Sequence, residues 1–203
     1  MRHISKWYIL LGEWALKLFI LNLLWFIFSL LGLGLLGLFP STISVYALLR
    51  QMIMKPQDVP IIKTFWNTYK QEFIRANLLG YTLVIIGYIL YIDLKVLQQL
   101  ESNILNQSIT IIIYILLVIY LLTFLHLFPI YVHFDMRFFD YIKHSFVLVI
   151  GKPIQTLIVI VGIGVTILVY IKVPGLIPVF GISVFCFIIM KTASLSFGIE
   201  EEI

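Results

Sequence analysis

The chain has 203 residues, of which 62% are hydrophobic and 12% are charged, and its formal net charge is +4. Soluble domains are about 45–50% apolar and about 25% charged, so this composition excludes a water-soluble globular protein and indicates a membrane protein. The basic residues are spread over several short connections, which argues against a nucleic-acid-binding surface. The single cysteine, Cys186, cannot form an internal disulfide.

The first apolar stretch contains GLGLLG at residues 32–37, which fits the G-x-G-x-x-G pattern of a dinucleotide-binding loop. That loop requires a preceding strand and an acidic residue about twenty positions later, and the sequence provides neither. We therefore interpret Gly32, Gly34 and Gly37 as a bend that lets two helices approach closely, with Pro40 beyond it.

Two arrangements fit this stretch: one span over residues 16–39 followed by a surface helix, or a hairpin of residues 15–31 and 38–54. With the hairpin, both termini fall on one side, and only Lys95 and Lys172 of the fourteen Lys and Arg residues fall on the other. Basic residues concentrate on the cytoplasmic side, so charge counting favours the hairpin and cytoplasmic termini. Its tip then lies near the outer interface or is wrapped by other helices.

Four further apolar stretches are long enough for one span each, because about twenty residues cross roughly 30 Å of hydrocarbon. They are residues 76–92, 109–129, 154–171 and 174–193. The predicted fold is an all-α polytopic transmembrane helical bundle, in one membrane domain over residues 1–203. It has five to six membrane helices, with six favoured, and cytoplasmic amphipathic interface helices.

The polar stretch 58–75 predicts the first interface helix. Asp58 and Pro60 fit a helix start. Aromatic side chains then recur at helical spacing, with lysines and amides opposite, as in a helix lying at headgroup depth on anionic lipid. We predict lipid or partner contacts for Lys63, Phe65, Trp66, Tyr69, Lys70 and Phe73.

Residues 137–153 show the same pattern and predict a second interface helix, with contacts through Arg137 and Lys143. Each region follows a Phe-Pro pair and contains an Ile-Lys step. The offsets between the two copies differ, so a weak internal repeat of residues 15–92 and 109–193 would contain a gap. Such a repeat would suit the two-repeat construction of transporters.

Three polar side chains at membrane depth are candidates for a ligand site: Asn22, Asn77 and His126. An amide in lipid seeks a partner on another helix, so helix packing is the first interpretation of the asparagines. His126 lies near the end of its span, where Pro129 frees the carbonyl of Leu125 as an acceptor.

Catalysis and metal binding have little support in the sequence. His133 and Asp135 could supply two metal ligands, whereas a site usually needs three or four with supporting partners. Acid–base chemistry would require paired carboxylates or a nucleophile beside a base, and the acidic residues lie in connections. We predict no catalytic residue, no cofactor and no metal.

The most specific short segments of the chain are NLLW (22–25), ALLR (47–50), DVP through FW (58–66), HFD (133–135) and GKP (151–153). On these segments the chain resembles the YesL-like family of bacterial integral membrane proteins with a domain of unknown function. The resemblance implies a multi-pass protein of the cytoplasmic membrane, often encoded near carbohydrate-uptake and carbohydrate-degradation genes. It brings no settled activity and no catalytic residues.

We therefore expect a non-catalytic inner-membrane accessory protein that contacts anionic lipid and supports carbohydrate uptake through a partner sugar permease. The alternative is a small transporter with a substrate site near Asn22, Asn77 and His126. Against it, the central parts of the spans carry no charged residue, which ion-coupled transporters often use.

Overall fold

The computed structural model of the chain describes residues 2–54, 59–100 and 103–197. All regular secondary structure in these ranges is helical, which confirms the predicted all-α class. The helices are α1 (Arg2–Leu31), α2 (Leu35–Met54), α3 (Ile61–Leu97), α4 (Ile104–His133), α5 (Phe138–Gly151), α6 (Pro153–Lys172) and α7 (Leu176–Phe197).

Five of the described helices, α1, α3, α4, α6 and α7, are long and apolar enough to cross a membrane. The protein is therefore a multi-pass membrane protein. The remaining long helix, α2, lies at the centre and contacts α1, α3, α4 and α7. Half of its twenty residues are buried, among them small ones such as Ser41 and Ser44 that let neighbouring helices approach closely.

The helices α1 and α2 form the predicted hairpin. Leu33 and Gly34 turn the chain with φ values of 59° and 75°, a left-handed conformation that glycine adopts at little cost. Gly32 and Gly37 face each other so closely that a methyl group on either would collide with backbone atoms of the other helix. The glycines therefore provide a turn and a close helix contact, as the sequence predicts.

The predicted separate interface helix over residues 58–75 is wrong. Helix α3 begins at Ile61 and continues unbroken past Arg75 to Leu97. Its 37 residues extend about 55 Å at about 1.5 Å per residue, well beyond the roughly 30 Å of hydrocarbon in a bilayer. Asp58, the predicted start of that helix, lies outside the described residues.

The predicted lipid contacts of Phe65 and Tyr69 are also wrong. Phe65 is 0% exposed and Tyr69 is 6% exposed. Their rings pack on Phe28 of α1, with centroids 5.0 Å and 5.2 Å away. The Tyr69 hydroxyl donates to the Phe28 carbonyl at 3.2 Å. Protein, in the form of the α1–α2 hairpin, takes the place expected for lipid.

This contact joins two regions that charge counting places on opposite membrane faces, the hairpin tip and residues 58–75. Gly32 at the tip lies so near α3 that an added methyl group would come within 2.7 Å of the Tyr69 hydroxyl. One side of the tip therefore contacts α3, whereas Leu31, Leu33 and Leu35 are exposed, so other helices do not wrap the tip. Charge counting registers which connections carry lysine and arginine, and not how helices tilt or how long they are, so it does not anticipate this contact.

The second predicted interface helix, α5, is confirmed as a separate element. Residues 134–137 precede it without helical structure, and it ends at Gly151, where Pro153 begins α6. Tyr141, Ser145 and Val149 recur every four residues on its buried face. Phe139, on another face, is 77% exposed, so α5 keeps an apolar surface free of protein.

Candidate functional site

A cavity of about 300 Å³ opens between α3, the end of α4 and the start of α5. Arg75 and Asp135 in its wall are both exposed and bring opposite charges to one open cleft. Charged groups of this kind can bind a small polar ligand through charge-assisted hydrogen bonds. The other lining residues are Leu78, Tyr131, Met136, Phe138 and Tyr141. We call this space the interfacial cavity.

Two tyrosines build the wall of the interfacial cavity. The hydroxyl of Tyr131 on α4 donates a hydrogen bond to the carboxylate of Glu72 on α3. Tyr141 of α5 accepts from the N–H of Met136 at 3.0 Å and donates to the carbonyl of Phe134 at 3.2 Å. The two rings pack with centroids 4.9 Å apart. The Tyr131 hydroxyl thus ties α4 to α3, and the Tyr141 hydroxyl fixes the connection from α4 to α5.

Sequence analysis missed Glu72, Tyr131 and Tyr141. Their hydrogen bonds join residues on different helices, such as Tyr131 and Glu72, 59 positions apart. The available signal was the position of Glu72, one turn before Arg75 at the expected start of a span. An acidic side chain near membrane depth needs a partner, which Tyr131 provides.

A second polar cluster joins the C-terminal ends of α2, α4 and α7. The Nε of Arg50 donates to Nδ1 of His133 at 3.1 Å. The His133 ring stacks on Phe197, with centroids 4.2 Å apart and planes at 22°. This arrangement uses the imidazole for packing and hydrogen bonding. No group of three or more His, Cys, Asp or Glu residues in the described ranges is placed to bind a metal ion.

Asn22 binds the backbone of α7. Its amide nitrogen donates to the carbonyl of Pro178 at 2.8 Å, and its amide oxygen accepts from the N–H of Ile182 at 3.0 Å. A regular helix joins these two backbone groups to each other, because each N–H bonds to the carbonyl four residues earlier. The side chain of Asn22 therefore enters the hydrogen-bond ladder of α7 and ties α1 to it.

Asn77 has a comparable role beside Pro40. Pro40 lacks the N–H that would bond to the carbonyl of Leu36 in a regular helix. The amide nitrogen of Asn77 donates to that carbonyl at 2.9 Å, and also to the carbonyl of Phe73 on its own helix at 2.8 Å. Asn77 thus supplies the donor that Pro40 removes.

The three predicted polar candidates do not form one site. Asn22 binds α7 and Asn77 binds α2, whereas the Nδ1 of His126 lies 3.0 Å from the carbonyl of Leu122 on its own helix. The His126 ring is fully buried, and its Nε2 has no hydrogen-bond partner within the described ranges. The interfacial cavity is lined by none of the three.

The remaining predicted contact residues lie at or near the surface. Trp66 is 43% exposed, and the Lys70 ammonium lies 4.8 Å from the centroid of its ring. Lys63, Arg137 and Lys143 are exposed, and Phe73 is half-buried. A polar and aromatic surface therefore remains on the first turns of α3, although its innermost rings face the hairpin.

Comparison with known proteins gives a family match. The model of a family described as "Protein of unknown function, DUF624" matches residues 18–94, which contain the C-terminal part of α1, the hairpin turn, α2 and most of α3. The chain is also similar to three uncharacterized proteins of Bacillus subtilis (strain 168). No solved structure matches it.

The three relatives are similar over most of their length. Identity to YteU is 35% over 179 residues, covering 88% of this chain and 80% of YteU. Identity to YesV is 31% over 189 residues, covering 93% of this chain and 90% of YesV. Identity to YesL is 30% over 162 residues, covering 79% of this chain and 75% of YesL. Each match is longer than the part of the chain that the family model matches.

Proposed function

We propose that this chain, which belongs to the DUF624 family, is a non-catalytic accessory protein of the bacterial cytoplasmic membrane, with cytoplasmic termini, that supports carbohydrate uptake through a partner permease. Membership confirms the resemblance to YesL-like proteins and brings no activity with it. The carbohydrate assignment follows from what that resemblance implies. The accessory role rests on the distribution of polar groups in the structure.

The accessory role is supported mainly by the hydrogen bonds that the side-chain amides of Asn22 and Asn77 make within the membrane domain. A transporter site between helices would need Asn22 and Asn77 to face a shared space. Each of them instead hydrogen-bonds backbone groups of a neighbouring helix. Their packing role weighs against the alternative, a small transporter, while the buried Oδ1 of Asn77 has no hydrogen-bond partner within the described ranges.

The partner surface in this proposal is formed by Lys63, Trp66 and Lys70. These residues follow one another at helical spacing on exposed parts of α3. Because α3 is longer than the hydrocarbon layer is thick, its first turns reach the interface or the water beyond it. Tryptophan at such a position contributes strongly to binding between proteins, and the lysine beside it adds charge.

The test compares the two ends of α3, because Lys95 lies over the ring of Tyr91 at 5.8 Å much as Lys70 lies over Trp66. The double variant Trp66→Ala, Lys70→Glu should lower the uptake of labelled carbohydrates in a strain that lacks the chromosomal gene. The matched variant Tyr91→Ala, Lys95→Glu should support normal uptake. Loss of one binding hot spot weakens a complex by roughly tenfold or more, which sets the expected scale.

Proteoliposomes that contain only this protein test the transporter alternative. They should accumulate none of the carbohydrates whose uptake falls in the deletion strain. Accumulation would overturn the accessory role. Equal behaviour of the two double variants in cells would show that the partner binds elsewhere on the molecule.

A further inference from the structure

A groove of about 470 Å³ lies between α3, α4 and α5 and shares no lining residue with the interfacial cavity. Helix α3 contributes Leu83, Ile86 and Leu90 to its wall. Helix α5 contributes Phe139 and Phe146, and one basic residue, Lys143. We call it the α5 groove. Its volume is within the range of roughly 300–1,000 Å³ found for sites that bind small molecules.

The wall of the α5 groove is apolar apart from one cation. The hydroxyl of Tyr120 donates to the carbonyl of Leu83 at 2.8 Å, and the hydroxyl of Thr123 donates to the carbonyl of Ile119 at 2.8 Å. Both polar wall side chains are therefore satisfied within the protein. A sugar or another strongly polar ligand would find few hydrogen-bond partners in such a wall.

Lys143 gives the groove its charge. No carboxylate lines the groove, and no ion pair joins Lys143 to a carboxylate within the described ranges. A lysine at the membrane interface extends its ammonium toward the headgroups while its carbon chain covers apolar surface. A negative group placed at the edge of the groove would form a charge-assisted hydrogen bond with it.

We propose that the α5 groove binds one anionic phospholipid, with an acyl chain against α3 and α4 and the phosphate held by Lys143. The direction of the groove fits an amphiphile. Lys143 belongs to the interface helix α5, and the wall on α3 continues from Leu83 to Leu90, about 10 Å along a helix. This site goes beyond the proposed accessory role and does not depend on it.

A second apolar groove shows what distinguishes this site. It lies between α1 and α7, has a volume of about 410 Å³, and is lined by Trp14, Phe180 and Phe187 among others, without a charged residue in its wall. A hydrocarbon chain can cover that groove as part of the ordinary bilayer. The α5 groove differs because Lys143 can select the headgroup.

The experiment measures lipid retention by the purified full chain in neutral detergent, using native mass spectrometry. Phosphatidylglycerol and phosphatidylcholine with identical acyl chains are added in turn. One phosphatidylglycerol per chain should remain bound, and phosphatidylcholine should be lost. Lys143→Gln should weaken retention about fivefold, the factor that one lysine near an anionic lipid surface is worth, and Lys143→Arg should preserve it.

Two further variants distinguish lipid binding in the groove from a general effect of surface charge. Lys172→Gln removes an exposed lysine from the end of α6 that does not line the groove, so it should retain phosphatidylglycerol normally. Ile86→Phe adds volume to the wall and should prevent retention although Lys143 is present. Equal retention of both lipids by the wild type, or normal retention by Lys143→Gln, would overturn the proposal.

A measurement on the wild type alone keeps the proposal testable if a variant does not fold. Phosphatidylglycerol with a photoreactive group near the end of its acyl chain should label peptides of α3 and α4 that include Leu90 and Leu116. Labelling spread evenly over the lipid-facing helices would contradict a defined site.

Discussion

Residues 61–75 of α3 and helix α5 share one pattern, an aromatic face opposite lysines, and the structure uses it in two different ways. On α3 the aromatic face is covered by protein, with Phe65 0% exposed. On α5 the apolar face is largely open, with Phe139 77% exposed. The pattern therefore predicts that one face avoids water, but whether lipid or protein covers that face depends on which helices lie nearby.

The two regions also differ in how they connect to the next span. Arg75 and Ala76 continue the helix of α3, whereas Lys152 adopts a non-helical conformation before Pro153 and separates α5 from α6. Proline limits the residue before it and has no N–H to donate, so a helix ends there readily. One proline thus allows α5 to lie apart from its span, while α3 remains a single long rod.

The largest expected effect tests the covered face against the open one. Phe65→Ala should lower the free energy of unfolding by about 3–5 kcal/mol, because it leaves a cavity among buried rings. Phe139→Ala removes a ring of the same size from an exposed position and should change stability by less than about 0.5 kcal/mol. Denaturant titration in detergent micelles measures both. Similar losses for the two variants would mean that the two faces are equally covered.

The second prediction uses a proline substitution to introduce into α3 a helix break like the one that separates α5 from α6. Ala76→Pro should destabilise the protein by about 3 kcal/mol or more, because proline removes the N–H of a buried helical residue and its ring collides with the carbonyl of Glu72. Pro153→Ala should cost less than about 1 kcal/mol, because the first residue of a helix needs no N–H partner. The same titration measures both. If Ala76→Pro were neutral, α3 would not act as one continuous helix.

The third prediction concerns the hairpin that covers α3. Gly32→Ala should destabilise by about 1–3 kcal/mol, because the added methyl group collides with the Gly37 backbone and approaches the Tyr69 hydroxyl. Gly151→Ala, at the end of α5, meets no atom within 4 Å and serves as the control. A cysteine cross-link between positions 28 and 69 should form less readily in Gly32→Ala. Unchanged cross-linking and stability would show that the tip does not need close contact with α3.

Features set by short-range sequence rules were predictable. Composition indicated the membrane class, the distribution of lysine and arginine together with Gly32 to Gly37 indicated the hairpin, and the pattern over residues 137–153 indicated α5 as a helix of its own. Each depends on the conformational preferences of a few neighbouring residues. The internal repeat stays a prediction, since the difference between α3 and α5 neither requires nor excludes it.

Features set by contacts between distant helices were not predictable. The bond from Tyr131 to Glu72 and the packing of Phe65 on Phe28 depend on crossing angles that a single sequence does not encode locally. Asn77 illustrates the boundary between the features that the sequence predicts and those that it does not. Pro40 predicts that the Leu36 carbonyl loses its helical partner, but only the structure identifies the side chain that replaces it.

The bond between Asn22 and α7 has a consequence for biosynthesis. Its partners, Pro178 and Ile182, lie 156 and 160 positions later in the chain and leave the ribosome after the six preceding helices. Until then the amide of Asn22 must rely on temporary partners in the membrane. A chain interrupted before α7 lacks both of these partners for Asn22. The asparagine thereby couples the stability of the bundle to the synthesis of α7.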